Sequence, residues 1–136
     1  MTINWPVAVC ALIVAVIGAM HLVYTLFGTE LHPREETALK TLRSATLRVS
    51  PGASMWRAWI GFNASHSLGL ILFGAIYGYL ALLQPAVLEL PALSAVGAGF
   101  LATIVLIAKR FWFSVPFIIM SVALVLYLAG MVMAHG

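Results

Sequence analysis

"GFNASHSLGLILFGAIYGYLAL", residues 61–82, decides how the chain is read. It is an apolar run of helical length, yet its first half holds Asn63, Ser65, His66 and Ser67. Extended to about residues 58–83, it exceeds the roughly 20 apolar residues a helix needs to cross a hydrocarbon core. It stops at Gln84-Pro85, because proline disfavours helical geometry in the residue before it.

Working outward, three more stretches of this kind follow from the same rule. Residues 6–27 open with Pro6, which suits a first helical turn. Residues 92–108 are entered at Pro91, and residues 115–133 have Ser114 as an N-cap and Pro116 in the first turn. Composition agrees with these spans. The 136 residues are 63% hydrophobic and 8% charged, with a mean hydropathy of +1.08. A water-soluble domain needs far more charge to cover its surface. The expected fold is all-α: an integral membrane four-helix bundle, one transmembrane domain over residues 1–136.

The charges give this bundle a direction. Arg34, Lys40, Arg43, Arg48 and Arg57 lie in the first connection, and Lys109 and Arg110 in the third. The N-terminal stretch, the second connection and the C-terminal stretch hold no Lys or Arg. In a four-span chain the first and third connections share a side. The positive-inside rule makes that side cytoplasmic and both termini external. Trp5, Trp56, Trp59, Trp112, Tyr77 and Tyr79 fall near expected span ends, as an aromatic belt does. The first residues carry no Lys or Arg, so the first apolar run is expected to be retained rather than cleaved as a signal. Val7–Cys10 lacks the features of a lipoprotein cleavage site. With Cys10 the only cysteine, no intramolecular disulfide can form.

The first connection is more than a linker. "HPREETALKTLRSATLR" begins with a proline and two glutamates that suit a helix N-terminus. At 100° per residue, Ala38, Leu39, Leu42, Ala45, Thr46 and Val49 share one face, with Glu36, Lys40, Arg43, Ser44 and Arg48 around the rest. An interfacial amphipathic helix is expected over about residues 33–49, stopped by Ser50-Pro51-Gly52. Its cations Arg34, Lys40, Arg43 and Arg48 would lie near anionic headgroups on the membrane surface. A docking surface for a partner protein is the competing reading.

In lipid, close backbone approach rather than apolar burial drives helix association. Small residues recur at spacing four in Gly61-Ser65-Gly69, Gly74-Gly78, Ala95-Gly99-Thr103, Ser94-Ala98-Ala102 and Ala11-Ala15-Ala19. These ridges predict tight packing.

The spans contain no Asp or Glu, which argues against a proton-coupled exporter. The complete Lys/Arg bias argues against dual topology. His21 and His66 remain, each roughly 9–13 Å from the cytoplasmic end of its helix at 1.5 Å per residue. Intramembrane ionisable residues usually face the protein interior. Three readings compete. In the first, both histidines are neutral and hydrogen-bonded to Asn63, Ser65, Ser67, Tyr24 or backbone carbonyls, fixing helix register. In the second they ligate a haem b, with Gly18 and Gly69 giving the macrocycle room and Arg48 or Arg57 meeting its propionates. In the third, His66, Asn63 and Tyr77 head a pocket for a quinone or lipid, walled by Trp59, Phe62 and Phe73. His21, Tyr24, Asn63, His66, Trp59, Phe73 and Tyr77 are therefore the candidate ligand-binding residues, and His21 and His66 are metal ligands only if haem is bound. His32 and His135 do not complete a zinc set. No catalytic residue and no nucleic-acid patch stands out.

"GAMHLVYTLFG" (residues 18–28) and "WRAWIGFNASHSLGLILFG" (residues 56–74) resemble signature stretches of small bacterial four-span membrane proteins of uncharacterised function. The resemblance implies a bacterial integral membrane protein and no particular activity. The expectation is a non-enzymatic structural or accessory subunit of the bacterial cytoplasmic membrane. Its partners are the lipid bilayer and either itself or a larger membrane complex, with no cofactor. The alternative is a membrane protein that binds haem, quinone or lipid through His21 and His66.

Overall fold

The computed structural model describes residues 2–135, so Met1 and Gly136, the ends of the expected domain, lie outside the described residues. The side chain of His135 does too. The fold is all-α, with helices α1 (Trp5–Leu26), α2 (Glu36–Ser44), α3 (Met55–Leu83), α4 (Pro85–Leu88), α5 (Pro91–Phe111) and α6 (Ser114–His135). A small hairpin, β1 (Thr46–Leu47) with β2 (Ser50–Ser54), separates α2 from α3. Four helices, α1, α3, α5 and α6, are long and apolar enough to cross a membrane.

Local chemistry sets the helix ends. Asn4 caps α1 by accepting the Val7 N–H on its Oδ1 at 3.2 Å. Ser54 caps α3 in the same way, accepting the Arg57 N–H at 3.3 Å. The second span therefore begins at Met55 rather than residue 58, and Arg57 sits in its first turn. The 29 residues of α3 run about 43 Å at 1.5 Å each, longer than a hydrocarbon core of about 30 Å. The third span runs to Phe111 rather than 108. Lys109 and Arg110 lie in its last turn, where cations favour the negative end of the helix dipole instead of ending the helix.

The connection after α1 departs most from expectation. Helix α2 covers only residues 36–44 of the expected 33–49. Glu35 and Ala45 flank it in extended conformations, and Lys40 Nζ meets Glu36 Oε1 at 3.0 Å one turn along. The chain then folds back. Thr46 pairs with Ser54 and Leu47 with Ser50, and Met55 N–H donates to the Ala45 carbonyl at 2.8 Å. The β-branched Thr46 and Val49 fit extended backbone better than helix, and Pro51-Gly52 lies on the returning strand. Val49, assigned to the apolar face, is 88% exposed. Ala38, Leu39, Leu42 and Ala45 are half-buried.

The chain forms two compact units, and α1 and α3 each contribute to both. One comprises Met1–Val16 and Leu70–Gly136, the other Ile17–Gly69. The first unit holds most of the core. Val7, Cys10, Ala11 and Val14 of α1 are buried there, as are Leu70, Phe73, Tyr77 and Ala81 of α3. Leu88 of α4, Leu101, Ile104 and Ala108 of α5 and Met120, Ala123, Tyr127 and Met131 of α6 also belong to it.

Glycines at 74, 97 and 130 allow this closeness. A Cβ on Gly74 would lie 2.6 Å from the Ala11 carbonyl oxygen and 2.6 Å from Ala15 Cβ. One on Gly97 would strike the Tyr127 hydroxyl, and one on Gly130 would lie 2.6 Å from Val7 Cγ2. The Gly74-Gly78 and Ala11-Ala15 ridges thus pack as expected. By contrast, a Cβ placed on Gly61, Gly69 or Gly99 would meet nothing within 4 Å, so the ridges through them face outward.

Candidate functional site

In the unit spanning residues 17–69, α1 supplies His21 and α3 supplies Asn63 and His66. His21 Nε2 lies 3.0 Å from Asn63 Oδ1. Asn63 Nδ2 donates to the Trp59 carbonyl at 2.9 Å, one turn earlier on α3. That second bond fixes the amide's orientation. The oxygen then faces His21, and an oxygen can only accept, so His21 Nε2 donates in this bond. The His66 ring stands edge-on to His21, with centroids 5.6 Å apart and planes at 86°. The two imidazoles are thus neighbours, although His21 lies five residues from the end of α1 and His66 eleven from the start of α3.

The hydroxyls nearby turn elsewhere. Thr25 Oγ1 donates to the His21 carbonyl at 2.7 Å, and Ser67 Oγ to the Asn63 carbonyl at 2.8 Å. Ser65 Oγ donates to the Phe62 carbonyl at 3.0 Å. Each serves its own helix. Thr25 and Ser67 are buried, so such internal bonding removes the penalty of an unsatisfied hydroxyl. The two imidazoles and Asn63 are only half-buried.

The seven candidate residues divide. His21, Asn63 and His66 come together, and Trp59 joins through its carbonyl. Tyr24, Trp59 and Phe62 have exposed side chains. Phe73 and Tyr77 belong to the other unit. There Phe73 stacks on Tyr77 at 4.4 Å and on Phe100 at 4.9 Å, and Tyr77 meets Tyr127 edge-on at 5.6 Å. The Tyr77 hydroxyl donates to the Leu93 carbonyl at 2.8 Å, and that of Tyr127 to the Ser94 carbonyl at 3.2 Å. Tyr77 is therefore a core residue and not part of an aromatic belt. Tyr127 escaped the sequence reading, although a phenol in the middle of an apolar span needs an acceptor, and that need was the signal.

At the hairpin, Trp56 is flanked by two groups. His32 meets it edge-on at 4.9 Å, and the Arg43 guanidinium carbon lies 5.7 Å from its ring centroid. Arg34, Lys40, Arg43 and Arg48 are all exposed. Lys40 is paired with Glu36, and Arg43 leans over the indole, fastening α2 to the start of α3. Among the described residues no three His, Cys, Asp or Glu side chains gather as a metal site. The imidazole pair with Asn63 thus offers two nitrogen donors and one amide.

A search of protein-family models, curated proteins and solved structures finds no match to this chain.

Proposed function

We propose that this is a four-span bundle of the bacterial cytoplasmic membrane acting as a non-enzymatic structural or accessory subunit. One observation carries the reading. All seven Lys and Arg fall between the first and second or the third and fourth of the long apolar helices, or in the adjoining helix turns: Arg34 to Arg57 after α1, and Lys109 and Arg110 at the end of α5. In this orientation both termini are external, and α2 with its hairpin lies on the cytoplasmic face. The likeness of residues 18–28 and 56–74 to small bacterial four-span proteins supports the bacterial setting. The polar side chains of the spans support a structural role, since Thr25, Asn63, Ser65 and Ser67 all donate to helix carbonyls.

Fusions at residue 136 test the orientation. Alkaline phosphatase should be active there and green fluorescent protein dark, and the reverse pattern overturns the topology. Purification in mild detergent tests the subunit role. An oligomer or a co-purifying membrane protein is expected, and a strict monomer alone refutes it.

The contact between His21 and His66 favours a second reading, a ligand-binding protein that holds haem b, a quinone or a lipid. Asn63 would orient one imidazole, as outer-shell partners orient ligating histidines. An absorption spectrum separates the readings. Protein expressed with added haem should show a Soret band, lost in His66→Ala, if the pair ligates iron. A colourless protein removes haem from consideration.

A further inference from the structure

A cavity of about 250 Å³ opens where the start of α1, the α4 turn and the end of α6 meet. Asn4, Trp5, Pro85, Glu89 and Met133 are among its lining residues. We propose that it binds the ammonium group of an amine-bearing amphiphile.

The wall is built rather than accidental. Asn4 donates its backbone N–H to the Ala81 carbonyl at 3.0 Å and its Nδ2 to the Gly130 carbonyl at 2.9 Å, while its Oδ1 accepts from Val7. Two of these bonds hold the residue against α3 and α6, and the third caps α1.

The charge of the lining selects the ligand's sign. Among the described residues, Glu89 is the only ionisable side chain that lines the cavity. No ion pair to it occurs among the described residues, and all seven Lys and Arg lie elsewhere in the chain. The carboxylate draws a cation and repels an anion. Trp5 also lines the cavity, and indole rings are a surface on which organic ammonium groups are held. A divalent metal needs six or more oxygen ligands, or a near-octahedral shell, and a single carboxylate does not supply one. Pro85 and Met133 provide apolar wall for methylenes next to the nitrogen. An ammonium head on an alkyl chain matches all of these features. An aminophospholipid headgroup and a soluble amine share that chemistry.

Two measurements on the full chain test the proposal and separate the sources. In the first, delipidated protein in dodecylmaltoside receives equal phosphatidylethanolamine and phosphatidylglycerol, and native mass spectrometry counts the adducts. In the second, ethanolamine or tetramethylammonium is titrated into protein in phosphatidylglycerol nanodiscs, and tryptophan emission is followed. Preferential retention of phosphatidylethanolamine without a soluble response identifies a lipid headgroup. A saturable response to the soluble amines identifies a free amine, and this second arm holds whether or not the chain is a cytoplasmic-membrane subunit. Glu89→Gln should weaken whichever binding is seen by about tenfold, and Trp5→Ala by about threefold. Glu89→Asp should retain most of it, which guards against a folding defect. Equal retention of both lipids with no saturable response overturns the proposal, as does a well-folded Glu89→Gln that binds like the parent.

Discussion

The two compact units put glycine and polar side chains to opposite ends. In the unit of residues 1–16 and 70–136, glycine admits a neighbour. Gly74 receives α1, and Gly97 receives two tyrosines whose hydroxyls close on Leu93 and Ser94. In the unit of residues 17–69, Gly61 and Gly69 stand in the open, and two half-buried imidazoles meet beside Asn63 while the hydroxyls bond within their own helices. Only Gly18, Thr25 and Ser67 are fully buried there. A glycine in an apolar helix therefore marks a crossing only where a partner's backbone or ring arrives to use the space.

The sharpest way to break this contrast is to fill the glycines. Gly97→Leu should cost about 3 kcal/mol or more, or abolish recovery of folded protein, because Tyr127 and Tyr77 have no room to retreat. Gly74→Leu should behave alike, whereas Gly61→Leu and Gly69→Leu should stay within about 0.5 kcal/mol. Unfolding in mixed micelles measures all four, and equal effects across them would erase the distinction.

This result bears on what could be read in advance. Spacing four identified Gly74-Gly78 and Ala11-Ala15 correctly but gave Gly61-Ser65-Gly69 the same weight, and missed Gly97 and Gly130 entirely. Periodicity records which residues share a face, not whether another helix arrives at that face. The span count was legible, because hydropathy acts within one helix, whereas axial rise left open whether His21 and His66 face each other, which depends on how two helices pack. The shortening of α2 was not. Its apolar face continues through Ala45 and Thr46, while the strand pairing that interrupts it depends on residues 50–54, beyond any helical period. Likewise Phe73 and Tyr77 lie on the His66 stripe of α3, yet tertiary packing assigns them to Tyr127 and Phe100.

Smaller effects sharpen the comparison. Asn63→Leu removes two bonds, to His21 and to the Trp59 carbonyl, and should destabilise by about 1 kcal/mol in the same assay. A double-mutant cycle with His21→Ala should return about half of that as coupling, and no coupling would mean the amide does not orient the imidazole. Tyr77→Phe loses one bond to Leu93 with its ring still stacked on Phe73, so about 0.6 kcal/mol is expected. A larger loss would show that the tyrosine hydroxyls act cooperatively. Arg43→Ala should have the least effect, about 0.5 kcal/mol, since its contact with Trp56 is solvent-exposed. Its better readout is protease cleavage within residues 45–54, which should quicken once α2 is released.

Asn4 carries a consequence for how the molecule is made. Its amide bonds to the carbonyl of Gly130, 126 positions later. During translation the first helix emerges from the ribosome long before its latch exists, and it must wait in the insertion machinery or in lipid until α6 is synthesised. Closure thus waits for α6, and a nascent chain cut short before Gly130 would present an unlatched first helix to membrane quality-control proteases.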